Sequence, residues 1–375
     1  MEKQWIKTSS KKQEGYPLWI GQDLTEKIIQ REITESQETT GWVLVTDQNI
    51  QRIYQQKIQD LEAGAKNKSL PFLTLVIPPG ESSKSLQKVE ELAGVIAGKD
   101  FGRKTKILAL GGGVVGDLAG FLASIYMRGV EYVQIPTTLL AQVDSSIGGK
   151  TGVNLFEGKN LLGSFYPPCS VWIDEDFLTT LEIKDWVNGY GELLKHGVLK
   201  DEGLFKAIED QLDQNRTFNR ISEAPAELTA IILRGITVKK EIIEADEKEQ
   251  GLRKLLNYGH TFGHALEALY QYEGCSHGEA VLKGMVYEAE IAVCLGLLNN
   301  EDFSRIRNLI DGILKRGRDL PSPTKNIEDL IGFMKRDKKN RGNEISFILP
   351  EKIGKTREVF LKEEDLRRIF LKRKF

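Results

Sequence analysis

The 375-residue chain predicts an α/β protein in two parts, a mostly parallel α/β domain over residues 1–178 and a largely α-helical domain over 179–375. Three observations predict it. Five short β-branched runs in the first half each end in turn or polar residues. Helix-like segments such as SLQKVEELAGVIAGK separate them. From about residue 179 the strand signal fades, and helical patterning continues to about residue 335. Strands alternating with helices argue for a parallel sheet covered by helices, a Rossmann-like arrangement. The length agrees with two domains, because single cores stop growing near ~250–300 residues.

Taken in order, GWVLVTDQNI, LTLVIPPG, KILALGGG, YVQIPTT and SVWIDED read as buried strands, each closed by turn residues. In such a sheet ligands collect outside the C-terminal strand ends. The domain boundary falls between Asp176 and Trp186. Asp201 to Asn219 is charged and reads as a surface helix plus loop, and ISFILP reads as one late strand.

Composition excludes several classes of function. Lys plus Arg number 52 against 54 Asp plus Glu, so there is no global field to attract nucleic acid or an anionic membrane. No uncharged apolar run reaches the ~18 residues of a membrane span. The N-terminal stretch lacks the apolar run of a signal peptide. Cys169, Cys275 and Cys294 are few, widely spaced and form no CxxC, which fits free thiols and a cytoplasmic location.

The strand-to-helix turn KILALGGGVVGDLAG carries GGGxxGD, not GxGxxG. Glycine lets backbone N–H groups approach a ligand closely, and a helix N-terminus favours phosphate. Other strand ends supply Asp47 and Asn49, then Glu81 and Lys84, then Thr137 and Thr138. Each alone reads as a turn or cap. Together with bare glycine backbone they suit a dinucleotide. The glycine-rich track from Arg128 to Asn160 reads as a loop whose cations serve an anionic substrate. Its SSIGGKTG is no P-loop, because GxxxxGK[ST] requires glycine where Asp144 stands.

Three of the four histidines lie between Leu256 and Ala280. EQGLRKLLNYGHTFGHALEALYQY reads as one helix with an apolar stripe at Leu252, Leu255, Leu256, Phe262, Leu266 and Leu269. Glu249, Arg253, Asn257, His260 and His264 stack on another face. Gly259 and Gly263 thin the adjacent surface at ~1 kcal/mol each in helix stability, so something uses the space. Two imidazoles at i, i+4, with His277 following, point to a metal; HExxH is absent. A catalytic metal takes a further protein ligand and keeps one position open. Glu192 in VNGYGELLKHGVL is the best outside candidate; His196 lies one turn later, and such an i, i+4 neighbour is expected to point elsewhere.

GGGVVGDLAGFLASIYMRG, QIPTTLLAQVDSSIGGKTGVN, GKNLLGSFY, GELLKHG, GLRKLLNYGHTFGHALE and HGEAV together resemble the 3-dehydroquinate synthase family of sugar-phosphate cyclases over nearly the whole chain. The resemblance implies conversion of 3-deoxy-D-arabino-heptulosonate 7-phosphate to 3-dehydroquinate and phosphate, in the shikimate pathway. The route is transient oxidation by NAD, β-elimination of phosphate, re-reduction and intramolecular aldol closure. It implies Zn2+ or Co2+ held by Glu192, His260 and His277, with His264 in the substrate pocket. It implies NAD held by Asp47, Asn49, Glu81, Lys84, Gly112, Gly113, Val114, Asp117, Thr137, Thr138 and Lys159. Substrate contacts are implied for Arg128, Asp144, Lys150, Asn160, Lys195, Lys239, Arg253, Asn257 and His264. Arg128 is expected to enter the neighbouring subunit's site, which implies a homodimer. Ser346 stands where the family carries a basic residue, and Lys338 or Lys339 is the candidate replacement.

Overall fold

The computed structural model describes all residues except 9–13, 214–224, 248–250, 271–273, 318–326, 336–339, 341, 343 and 374–375. The chain divides into two compact units, Met1–Thr180 and Leu181–Phe375.

In the first unit the strands are β1 (Glu2–Lys7), β2 (Gly15–Gly21), β3 (Gly41–Asp47), β4 (Phe72–Ile77), β5 (Thr105–Gly111), β6 (Glu131–Pro136), β7 (Lys150–Leu155), β8 (Gly158–Phe165) and β9 (Ser170–Asp174). Its helices are α1 (Thr25–Ile28), α2 (Gln48–Ile53), α3 (Gln55–Asn67), α4 (Leu86–Ala97) and α5 (Gly113–Ile125). Seven strands form one sheet in the order β1-β2-β9-β6-β5-β3-β4. Only the edge pair β1–β2 is antiparallel. All five sequence-predicted strands are present. The N-terminal hairpin β1–β2 gave no clear signal, because its alternation is short and interrupted by Pro17.

The sheet is buried on both faces because its strands carry apolar side chains at successive positions, which alternate between faces. Val43 and Val45 of β3, with Ile107 and Ala109 of β5, pack against Leu92 of α4 and Leu118 and Leu122 of α5. Trp42, Leu44, Leu108 and Leu110 point to the other face and meet Leu24, Ile28, Ile58 and Leu61. Each such side chain contributes about 1.5–3 kcal/mol relative to leaving it in water. The chain runs from β3 outward to β4 and then returns to β5 on the opposite side of β3. That reversal opens a crevice at the carboxyl ends of β3 and β5, the usual ligand position in such sheets. Asp47 and Gly111 are the last residues of those two strands.

One expectation needs correction here. The track from Lys150 to Phe165 is an antiparallel hairpin, β7–β8, not a loop. Thr151 and Val153 are buried, whereas Phe156 at its tip is fully exposed. Glycines and short polar residues had masked the alternation.

The second unit holds α6 (Ile183–Lys200), α7 (Glu202–Asp213), α8 (Pro225–Ala245), α9 (His260–Leu269), α10 (His277–Cys294), α11 (Asn300–Leu314), α12 (Ile327–Lys335) and α13 (Glu363–Arg373). ISFILP lies in β10 (Glu344–Lys352), which pairs with β11 (Lys355–Lys362) in a hairpin. Among the described residues no helix is long and apolar enough to cross a membrane.

The single helix expected from Glu249 to Tyr272, whose last two residues lie outside the described ones, is broken. Leu252–Asn257 is a 3-10 turn, and α9 begins only at His260. Between them Gly259 takes φ +78, a left-handed conformation that costs other residues roughly 1–2 kcal/mol. A Cβ there would lie 2.5 Å from Met285 Cγ. Glu288 of α10 replaces the missing cap, accepting from the backbone N–H of Gly259 at 2.7 Å and of Phe262 at 3.2 Å. The space spared by Gly259 and Gly263 is filled by the backbone of α10. Glu249 lies outside the described residues.

Candidate active site

Two helix contacts build the cluster in the second unit. Gly191 of α6 meets Gly278 of α10 so closely that a Cβ on Gly278 would sit 2.1 Å from the Asn188 carbonyl oxygen. Asn188 Oδ1 also accepts from the Gly278 N–H at 2.6 Å. Ser276 caps α10 in a reciprocal box with Glu279, which fixes where His277 leaves the helix start. These contacts set His277 beside Glu192. Packing of α9 on α10 brings in His260.

Glu192 Oε1 lies 3.6 Å from His260 Nε2 and 3.6 Å from His277 Nε2. That is long for a hydrogen bond. Two ligand atoms at bond lengths of ~2.0–2.2 Å on a tetrahedral ion stand roughly 3.4 Å apart. The three side chains therefore fit one divalent cation, with ligand atoms all within 4.8 Å of one another. His260 Nδ1 faces the Tyr258 carbonyl oxygen at 3.2 Å, and His277 Nδ1 faces Glu267 Oε2 at 3.1 Å. Both rings thus turn Nε2 toward Glu192.

Glu192 is 1% exposed and pairs closely with Lys195 one turn later. Burial opposes ionisation, but the Lys195 ammonium and the neighbouring imidazoles outweigh it and hold the carboxyl well below its ordinary range. Burial would likewise depress His277, yet the carboxylates of Glu192 and Glu267 prevail and push it up to about 10.

His264, exposed, stands with its ring 5.2 Å from that of His260 and 6.0 Å from that of His277. Arg253 is buried in the 3-10 turn, its backbone N–H held by Asp246 Oδ2 at 3.0 Å. Asn257 ends that turn and donates to the Lys254 carbonyl at 2.9 Å. Lys239 is buried on α8, which packs against both α6 and the turn. Ser346 is committed elsewhere: its hydroxyl donates to Glu358 Oε1 at 2.8 Å, inside the β10–β11 hairpin. Lys338 and Lys339 lie outside the described residues.

In the first unit Asp47 caps α2, its Oδ1 accepting from the N–H groups of Asn49 and Ile50. Lys84, nearly buried, donates to Asp117 Oδ2 and to Asn160 Oδ1, each at 2.5 Å. Burial pushes the Asp117 carboxyl up, with the Lys84 ammonium pulling it down. Glu81 Oε2 accepts from Asn154 Nδ2 at 2.7 Å. Asn160 takes φ +56 on the hairpin, and Lys159 and Lys150 lie on the same ribbon. Gly112 is the N-cap of α5, which has no side-chain cap hydrogen bond, and a helix start of that kind favours an anion. Gly113 and Val114 follow in its first turn. Thr137 Oγ1 is buried and has no hydrogen-bond partner among the described residues, while Thr138 Oγ1 accepts from the Ala141 N–H. An uncapped helix start beside an unsatisfied hydroxyl fits a phosphate-bearing cofactor. Asp144 lies in the helical turn that follows Thr138. Arg128 is exposed at φ +65, directly after Met127 at φ +49.

The sequence reading passed over Glu267, Asn188 and Glu288. Glu267 had a signal: it follows His260 and His264 at i+7 and i+3, on the same helical stripe.

Residues 74–188 match the family described as 3-dehydroquinate synthase N-terminal, and residues 189–340 match 3-dehydroquinate synthase C-terminal. The chain is 41% identical to the 3-dehydroquinate synthase of Caldanaerobacter subterraneus subsp. tengcongensis, over 96% of this chain and 97% of that protein.

The chain belongs to the 3-dehydroquinate synthase family.

A second 3-dehydroquinate synthase, from Alkaliphilus metalliredigens, is 44% identical over 86% of this chain and 87% of its own. Among solved structures, 2-deoxy-scyllo-inosose synthase with carbaglucose-6-phosphate, NAD+ and Co2+ superposes with TM-score 0.83 at 25% identity, over 99% of both chains. The 2-epi-5-epi-valiolone synthase of Streptomyces hygroscopicus subsp. jinggangensis, with NAD+ and Zn2+, gives 0.82 at 27% identity over 98% of both. An iron-containing alcohol dehydrogenase from Thermotoga maritima shares only the fold, at TM-score 0.60 and 16% identity over 95% of this chain and 96% of that one. The N-terminal family match gives way to the C-terminal one at residue 189, within α6.

Proposed function

We propose that this protein is a 3-dehydroquinate synthase, a lyase that converts 3-deoxy-D-arabino-heptulosonate 7-phosphate to 3-dehydroquinate and phosphate. The observation that carries the reading is the convergence of Glu192, His260 and His277, in a chain about 40% identical to curated synthases over almost its full length. The first unit serves the dinucleotide, and the second serves the metal and most of the substrate.

Glu192, His260 and His277 would hold one divalent cation, Zn2+ or Co2+, which when bound supplies Lewis-acid polarisation of a substrate hydroxyl. Asp47, Asn49, Glu81, Lys84, Gly112, Gly113, Val114, Asp117, Thr137, Thr138 and Lys159 would hold NAD, which supplies a reversible hydride acceptor. Arg253 offers a planar fork of N–H donors and Lys239 a second cation, so the two bind the substrate carboxylate. His264 and Asn257 orient the hydroxyls. The further substrate contacts of this reading are Lys195 in the second unit and Lys150, Asn160, Arg128 and Asp144 in the first. The leaving phosphate carries its own proton acceptor, so these contacts need not deprotonate carbon.

The homodimer and the cytoplasmic location belong to the same proposal. Two successive non-glycine residues in the left-handed region cost of order 1–3 kcal/mol each. That expense supports a fixed outward presentation of Arg128 to a partner copy. None of the three cysteines forms a disulfide, which agrees with a reducing compartment.

Incubating the purified chain with NAD, metal and the heptulosonate phosphate tests the reading. Phosphate release without net NADH, abolished by a chelator and restored by Zn2+ or Co2+, is expected. Steady accumulation of NADH from an alcohol indicates a dehydrogenase instead. Phosphate release only from a heptulose 7-phosphate or glucose 6-phosphate indicates a different cyclase.

A further inference from the structure

Glu267 is 3% exposed on α9. A buried carboxylate is costly unless charged or hydrogen-bonding groups meet it. Its Oε2 lies 3.1 Å from His277 Nδ1, whereas Glu192 Oε1 lies 3.6 Å from His277 Nε2. The two ring nitrogens point in opposite directions, so the carboxylates flank one imidazole from its two sides. His260 has the corresponding tie to a backbone carbonyl, that of Tyr258. For His277 the corresponding partner is a side chain. We propose that Glu267 is a positioning residue, accepting a hydrogen bond from His277 Nδ1–H and so presenting the unprotonated Nε2 to the metal. The inference rests on the metal site proposed above. A carboxylate behind a ligating imidazole fixes its tautomer and raises its basicity, and losing such a partner typically weakens metal binding 10–100-fold.

His264, Glu267 and His277 also lie within 4.8 Å of one another through their ligand atoms. A second cation at that set would have to displace the Glu267–His277 hydrogen bond. One occupant per chain is therefore the prediction.

The test uses the full-length, chelator-stripped protein. Co2+ is titrated and followed by its visible ligand-field bands, and Zn2+ affinity is measured by competition with a chelating dye. Wild type should bind one equivalent; no binding overturns the metal site and this inference together. E267M keeps volume but has no acceptor, and should bind about 10–100-fold more weakly with a changed Co2+ spectrum. E267Q keeps a neutral acceptor and should fall between the two. The melting temperature of the metal-free E267Q chain should stay at the wild-type value, which separates ligand positioning from general packing. Should E267M fail to fold, weakened binding by E267Q still supports the inference. Wild-type affinity and spectrum in E267Q, or a second wild-type equivalent that E267M abolishes alone, overturns it.

Discussion

A carboxylate held at 1% exposure stays ionised only beside cations, and Glu192 has Lys195 on one side and two imidazoles on the other. Glu192→Gln keeps the shape but removes the charge. It should lower metal affinity at least about 100-fold and abolish turnover, measured by equilibrium dialysis and phosphate release. Retained metal together with retained turnover removes Glu192 from the site. The thiols give a second prediction at this scale. Burial pushes Cys169 up to about 12, with Lys106 opposing, whereas Cys294 is exposed. The thiolate is the reactive form. Alkylation of the native protein at neutral pH, read by peptide mass spectrometry, should mark Cys294 well ahead of Cys169. Single residues were the most legible part of the chain. Histidines are scarce, so three in eighteen positions stand out, and a carboxylate among glycines does too. Glu267 was less visible, because one more acid in an amphipathic helix looks like any solvated charge.

Helices and their junctions carry the geometry. The pairing of α6 with α10 depends on two residues without side chains. A methyl on Gly278 would meet the Asn188 carbonyl at 2.1 Å, and backbone cannot swing aside as a flexible side chain can. Gly278→Ala should destabilise the second unit by about 1–3 kcal/mol and separate His277 from Glu192. Thermal unfolding and metal affinity should therefore fall together. A normal melting temperature with normal metal binding would show that the two helices have slack. Gly259→Ala should also lower the melting temperature, since it combines a left-handed φ with a crowded Cβ. The break at Gly259 was not legible, because the polar stripe Arg253, Asn257, His260 and His264 runs through it at helical spacing. What ends the helical path is a tertiary event, the Glu288 carboxylate of α10 accepting from N–H groups at the start of α9. The β7–β8 hairpin was hidden for a related reason. Its glycines suit close strand packing but dilute the alternation on which strand recognition depends.

At the scale of the whole molecule, the parallel sheet was legible because buried strands read as nearly continuous apolar runs. The order of the strands was not, since sequence fixes neighbours only locally. The dimer proposal is tested here by mixing two dead variants. Arg128→Ala spoils the partner's site and Glu192→Gln spoils its own. Random exchange into heterodimers should then restore about a quarter of wild-type turnover, one intact site in half of the dimers. No recovery, with dimers present by light scattering, would place Arg128 in its own subunit's site. The pairing of β2 with β9 has a further consequence. Leu18 lies in register with Val171, and Leu24 N–H reaches Asp174 across 150 positions. At ribosomal speeds those 150 residues take on the order of 10 s to appear. Throughout that interval β2 has an unclosed margin of backbone donors and acceptors, so the emerging chain is open to wrong strand pairing until β9 arrives.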